Sequence, residues 1–134
     1  MAHLKFIEGV GAVYGKKLNQ AGVASTKALR ETGATAKGRK ELAQKTGISE
    51  TLLLKWVNRV DLFRVKGIGE QYADLLEVAG VDSVPELAQR RVDHLYQKLA
   101  ETNEAKKLVR KLPAISQLKA WIDQAKKLPR QITY

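Results

Sequence analysis

The chain contains no cysteine, which excludes a disulfide framework, a thiolate metal site and a cysteine nucleophile. Histidine is nearly as scarce: His3 and His94 stand far apart with no ligand-spaced companions, so a metal centre has no foundation. No apolar run approaches the ~20 residues of a membrane span. The opening stretch, Met1 to Glu8, lacks the apolar core of a signal peptide. The expected setting is therefore cytoplasmic, with no membrane partner. No segment alternates apolar and polar residues over strand length, which leaves an all-α fold. Walker loops, nucleophile elbows and HExxH motifs are also missing. Glu70, Asp74 and Glu77 share one helix face, but acids at a helix start complement its dipole, and no base or orienting acid accompanies them. The expectation is a non-enzymatic protein.

What is present is positive charge. The 134 residues carry 24 Lys and Arg against 14 Asp and Glu, a formal charge of +10, with a hydrophobic content of 44%. That length builds one ordinary core or two small ones. The charge favours a polyanionic partner by raising its local concentration, although a solvated helix face accounts for any single run of lysines as readily.

Two stretches share a pattern: Ile7-Glu8-Gly9-Val10-Gly11-Ala12-Val13-Tyr14-Gly15 and Val65-Lys66-Gly67-Ile68-Gly69-Glu70-Gln71-Tyr72-Ala73. In each, two glycines frame one aliphatic residue and a helix follows, with a small residue four places after the second glycine. Glycines let the backbone turn through conformations that a side chain would block. The aliphatic residue, Val10 or Ile68, plugs the bend into a core. The amides beyond the second glycine open a helix, where unpaired N–H groups and the positive dipole end favour an anion. Laid over itself with Gly9 on Gly67, the chain also matches Tyr14 with Tyr72, Ala21-Gly22-Val23 with Ala79-Gly80-Val81, and Ser25 with Ser83. Further on, Leu42-Ala43 pairs with Leu99-Ala100 and Trp56-Val57 with Trp121-Ile122 once the second copy is allowed an insertion between Asn103 and Ser116. Units of 1–64 and 65–134 are expected. The junction around Asp61 to Arg64 holds no Gly, Ser or Pro linker, so the units are expected to pack together.

Local signals divide the units into nine or ten short helices. Ser25, Thr35, Ser49, Ser83, Asn103 and Ser116 read as N-caps. Gly22, Gly33 and Gly47 read as stops, and Pro129 ends the last helix. Leu42 faces inward, with Lys37, Arg39 and Lys40 largely outward. Lys106, Lys107, Arg110 and Lys111 fall on a basic helix within the insertion. Leu42-Ala43…Gly47-Ile48-Ser49…Leu52 also has the form of a helix-turn-helix, but Ser49, Glu50 and Thr51 are weak base readers. Trp56, Trp121 and the tyrosines are too periodic to be base platforms and are assigned to the core.

The paired glycine bends resemble the helix-hairpin-helix motif. From Leu42-Ala43 through Val65-Lys66-Gly67-Ile68-Gly69 to Glu86-Leu87-Ala88, the whole chain resembles a domain-of-unknown-function family of tandem, duplicated units of that kind. The resemblance implies sequence-independent contact with the nucleic-acid backbone, duplex DNA being the favoured target. Carried onto this chain, the contacts are Gly9, Val10, Gly11 and Ala12 with Lys16 and Lys17, and in the second copy Lys66, Gly67, Ile68 and Gly69. Asp74 and Leu75 stand where Lys16 and Lys17 would be, so the second hairpin departs from the pattern. Positive charge outside the hairpins adds Lys37, Arg39, Lys40, Lys106, Lys107, Arg110 and Lys111. The family leaves room for a monovalent cation on hairpin carbonyls; no other cofactor is expected. The alternative is a protein-interaction or self-assembly module that uses the acidic second unit.

Overall fold

The computed structural model describes residues 10–133. Among these it is wholly helical, with eight α-helices and no strand: α1 (Gly11–Gln20), α2 (Thr26–Thr32), α3 (Ala36–Thr46), α4 (Glu50–Leu62), α5 (Glu70–Val78), α6 (Val84–Ala88), α7 (Val92–Lys106) and α8 (Ile115–Lys127). No helix is long and apolar enough to cross a membrane among the described residues. The chain divides into two compact units: the residues up to Asp61 together with the segment from Arg130 form one, and Leu62–Pro129 the other.

In the first unit each start and stop has a local cause. The Ser25 hydroxyl accepts from Ala28 N at 3.1 Å, Thr35 from Gly38 N at 3.0 Å and Ser49 from Leu52 N at 3.1 Å, each satisfying an amide the helix leaves open. After α1, Gly22 N donates to Asn19 O and Val23 N to Leu18 O at 2.8 Å, a Schellman closure. Leu18, Leu29, Leu42, Leu53, Trp56 and Val57 form the core with Val10 and Ile48. Ile132 also belongs to this core, and Thr133 N donates to Ala34 O at 2.8 Å, so the segment beyond Pro129 is packed here.

The second unit has its own core of Leu62, Val65, Leu75, Leu76, Leu87, Leu95, Leu99, Leu118 and Trp121, with α8 packed on α6 and α7 and α5 on α7. Its α5 closes as α1 does, Val81 N donating to Leu76 O at 2.7 Å. Ser83 caps α6, accepting from Glu86 N at 3.3 Å; the Glu86 carboxylate meets Arg90 at 2.9 Å.

Two expected caps are corrected. Asn103 lies inside α7, whose last residue is Lys106, and its side chain clamps the following loop: Nδ2 donates to Val109 O at 3.1 Å and Val109 N donates to Oδ1 at 3.0 Å. Ser116 lies inside α8, which begins after Ala114, with the Ala114 amide donating to Gln117 Oε1 at 2.8 Å. The basic helix expected across Lys106, Lys107, Arg110 and Lys111 is likewise corrected. Only Lys106 is helical, because Lys107 turns the chain left-handed at φ 51, ψ 49 and the loop runs on to α8. A left-handed lysine costs about 1–2 kcal/mol that glycine avoids. Lys107→Gly is accordingly expected to raise the thermal midpoint or leave it unchanged, as followed by circular dichroism.

Candidate nucleic-acid interface

The glycine bend before α5 is the one best defined by its surroundings. Val65 N donates to Leu62 O and Ile68 N to Val65 O at 3.2 Å, while Val65 and Ile68 are buried. Gly67 takes φ +97, and a Cβ there would stand 2.8 Å from Trp121 Nε1, so both backbone and space require glycine. From α8, Gln124 holds the bend by its side chain: Lys66 N donates to Oε1 at 2.9 Å. Gly69 is extended and gives no side-chain cap to α5. The first bond of that helix is Ala73 N to Gly69 O at 2.9 Å, which leaves the Glu70, Gln71 and Tyr72 amides ahead of the ladder. Gly67, Gly69 and Glu70 are exposed. One predicted donor is corrected: the Ile68 N–H is already committed to Val65 O.

Gly9 lies outside the described residues, so the first bend is described from Val10 onward. Val10 is buried and precedes α1, which receives no side-chain cap and has no acid in its first turn. Gly11, Ala12, Lys16 and Lys17 are exposed around that start. Tyr14 lies 5.3 Å from Trp56 at 59°, and in the second unit Tyr72 lies 5.3 Å from Trp121 at 56°. The two tryptophans are buried, as expected of core residues. A cleft of about 390 Å³ between α1 and the end of α3 is lined by Lys17, Gln20, Ala21, Lys45 and Thr46, with no acid among them.

Elsewhere the predicted residues part company. Lys37 and Lys40 are exposed on α3. Arg39, expected outward and offered as a phosphate contact, is corrected: it is 4% exposed. Its guanidinium donates to Gly33 O at 2.7 Å and to Thr133 O at 2.6 Å. It is a structural cation that closes the first unit around its C-terminal segment. Lys66 keeps an exposed side chain although its amide is used.

The feature the sequence reading missed is a cleft of about 660 Å³ beside the first turn of α5, lined by Gln71, Tyr72, Asn103 and residues 107–111. Lys107, Arg110 and Lys111 stand on it, exposed. A third cleft, lined by Arg90, Arg91, Lys119 and Lys126, also contains Asp93 and Asp123. There the Asp93 carboxyl is held below its ordinary range first by a hydrogen bond from the His94 backbone, and further by the Arg91 charge 3.3 Å away. Acids therefore share this cleft with its cations. Among the described residues no group of His, Cys, Asp and Glu is arranged to hold a metal.

No curated protein and no solved structure matches the chain. Residues 8–128 match the family described as Domain of unknown function (DUF4332), and the protein belongs to that family.

Proposed function

We propose that this protein binds nucleic acid, duplex DNA by preference, without reading sequence, and that it does so as two tandem, duplicated helix-hairpin-helix units. Duplication is supported by a set of equivalent details: the Tyr–Trp pairs at 5.3 Å, the Schellman closures at Gly22 and Gly80, and the serine-capped helices that follow them. The observation that carries the binding reading is the start of α1. It is exposed, lacks a side-chain cap and an acid, and has Lys16 and Lys17 exposed on the helix it opens. Open amides at a helix start accept phosphate oxygens, and nearby ammonium groups displace condensed counterions. Neither contact carries sequence information.

The test is fluorescence anisotropy on a labelled duplex of random sequence across a salt series. Wild-type affinity should fall steeply with salt. Lys16→Glu with Lys17→Glu should weaken binding about tenfold or more at low salt and flatten the log–log slope by about 2, since each lost phosphate contact contributes roughly 0.9 on B-DNA. Both residues are exposed, so the variant should keep its thermal midpoint. Absent or salt-insensitive binding would defeat the reading and favour a protein-interaction or self-assembly module built on the second unit.

A further inference from the structure

The two hairpins are unequally equipped for the same task. Where the first has Ala12, Lys16 and Lys17, the second has Glu70, Asp74 and Leu75. On its own helix, then, the second hairpin offers amides without the charge that draws a phosphate to them. The structure supplies that charge from elsewhere. The loop after α7, which the sequence comparison of the two halves marks as an insertion, folds back to form one wall of the cleft whose other wall is Gln71 and Tyr72, in the first turn of α5.

This loop is held, not slack. Asn103 grips Val109 through both its amide and its carbonyl, and the Tyr72 hydroxyl donates to Lys111 O at 3.2 Å. Val109 and Pro113 are buried, which anchors the loop on the core at two points. The left-handed turn at Lys107 sets the direction of everything after it, and a lysine stands there although a glycine would be easier to accommodate. Between these fixed points Lys107, Arg110 and Lys111 stay in solvent. Among the described residues none of the three is in an ion pair, and no acid lines the cleft. The cleft of Arg90 and Lys119 on the same unit, by contrast, includes two acids, Asp93 and Asp123. Here the charge is uncompensated.

We infer that the inserted loop is the second unit's phosphate-binding element: Lys107, Arg110 and Lys111 replace the helix lysines that this unit lacks after its hairpin and bind the backbone of the same nucleic acid. The Arg110 guanidinium suits a bidentate grip on one phosphate, and the two ammonium groups act as point charges beside it. Holding the loop by Asn103 and Tyr72 lowers the ordering cost of that contact. The inference rests on the nucleic-acid reading above, and its test separates the two.

Anisotropy with the labelled random duplex is run over the salt series on wild type, on Arg110→Glu with Lys111→Glu, and on Lys107→Gly. The double variant should bind about tenfold more weakly at low salt, with the log–log slope lower by about 2. Lys107→Gly keeps the bend and removes one cation, so its slope should drop by about 1 while its thermal midpoint holds or rises. A loop that only supports the fold would leave binding untouched by Lys107→Gly. If wild type binds with steep salt dependence and both loop variants match it in affinity and slope, the inference is overturned and the first hairpin carries the binding alone. If wild type binds no duplex at all, the nucleic-acid reading falls and this inference with it.

Discussion

Trp121→Ala is expected to destabilise the second unit by about 3–5 kcal/mol, the range for emptying a buried aromatic site. Trp121 is 2% exposed and lies on α8. It makes two kinds of contact that a smaller residue cannot restore. Its ring is tilted against Tyr72 at 5.3 Å, and its Nε1 edge supports the bend at Gly67, where there is no room even for a methyl group. Removing it takes away the floor of the bend as well as core volume. Urea unfolding followed by two signals would check this, because the chain has two tryptophans, Trp56 in the first unit and Trp121 in the second. In the variant, fluorescence comes from Trp56 alone and reports the first unit, while circular dichroism reports all helices. The expected result is an early loss of helical signal, with Trp56 fluorescence changing at higher denaturant. Trp121→Phe should recover much of the loss by keeping an aromatic contact with Tyr72. A Trp121→Ala protein as stable as wild type would mean that the site collapses without cost, and would remove the support proposed for the hairpin.

Arg39→Ala should cost the first unit about 3–6 kcal/mol, since hydrogen bonds from a charged donor contribute about 1.5–3 each, two are lost, and the carbonyls left behind are buried or partly buried. Gly33 O and Thr133 O both lose their donor. Arg39→Met should recover little, because it refills volume without supplying N–H groups. The local readout is amide hydrogen exchange at Thr133, whose N–H donates to Ala34 O: it should speed up in both variants as the C-terminal segment is released. Lys37→Ala and Lys40→Ala, two and one residues away on the exposed face, should stay within about 0.5 kcal/mol of wild type. Any loss of nucleic-acid binding in Arg39→Ala should then track its loss of fold. An Arg39→Ala protein of wild-type stability with impaired binding would instead place the guanidinium on the ligand.

How much of this could be read in advance depended on how far apart the interacting groups lie. Ser25, Thr35, Ser49 and Ser83 each cap a helix as expected, because a cap is settled within three residues of sequence. The stops at Gly22, Gly33 and Gly47 belong to the same class. Arg39 was misread because a periodicity argument treats arginine as a surface residue, whereas one of its acceptors, Thr133, lies almost the whole chain away. Asn103 has the chemistry of a cap, but here it serves the loop that follows its helix instead of opening one. Lys107 carries no turn signal at all, since lysine at positive φ is held there by its surroundings. The exposure of Lys16, Lys17, Lys37 and Lys40 agrees with their pattern. The loop cleft was not legible, because nothing local says that residues 107–111 return to the first turn of α5.

The placement of Ile132 and Thr133 in the first unit has a consequence for biosynthesis. A ribosome delivers residues in order, and domains ordinarily mature in that order too. Here the N-terminal core waits for a piece of chain translated after every residue of the second unit, so the unit begun first is completed last. Until Thr133 emerges, Arg39 has one of its two acceptors and the pocket for Ile132 stays open. The nascent chain therefore carries the first unit open for a period during which the second can already be folded.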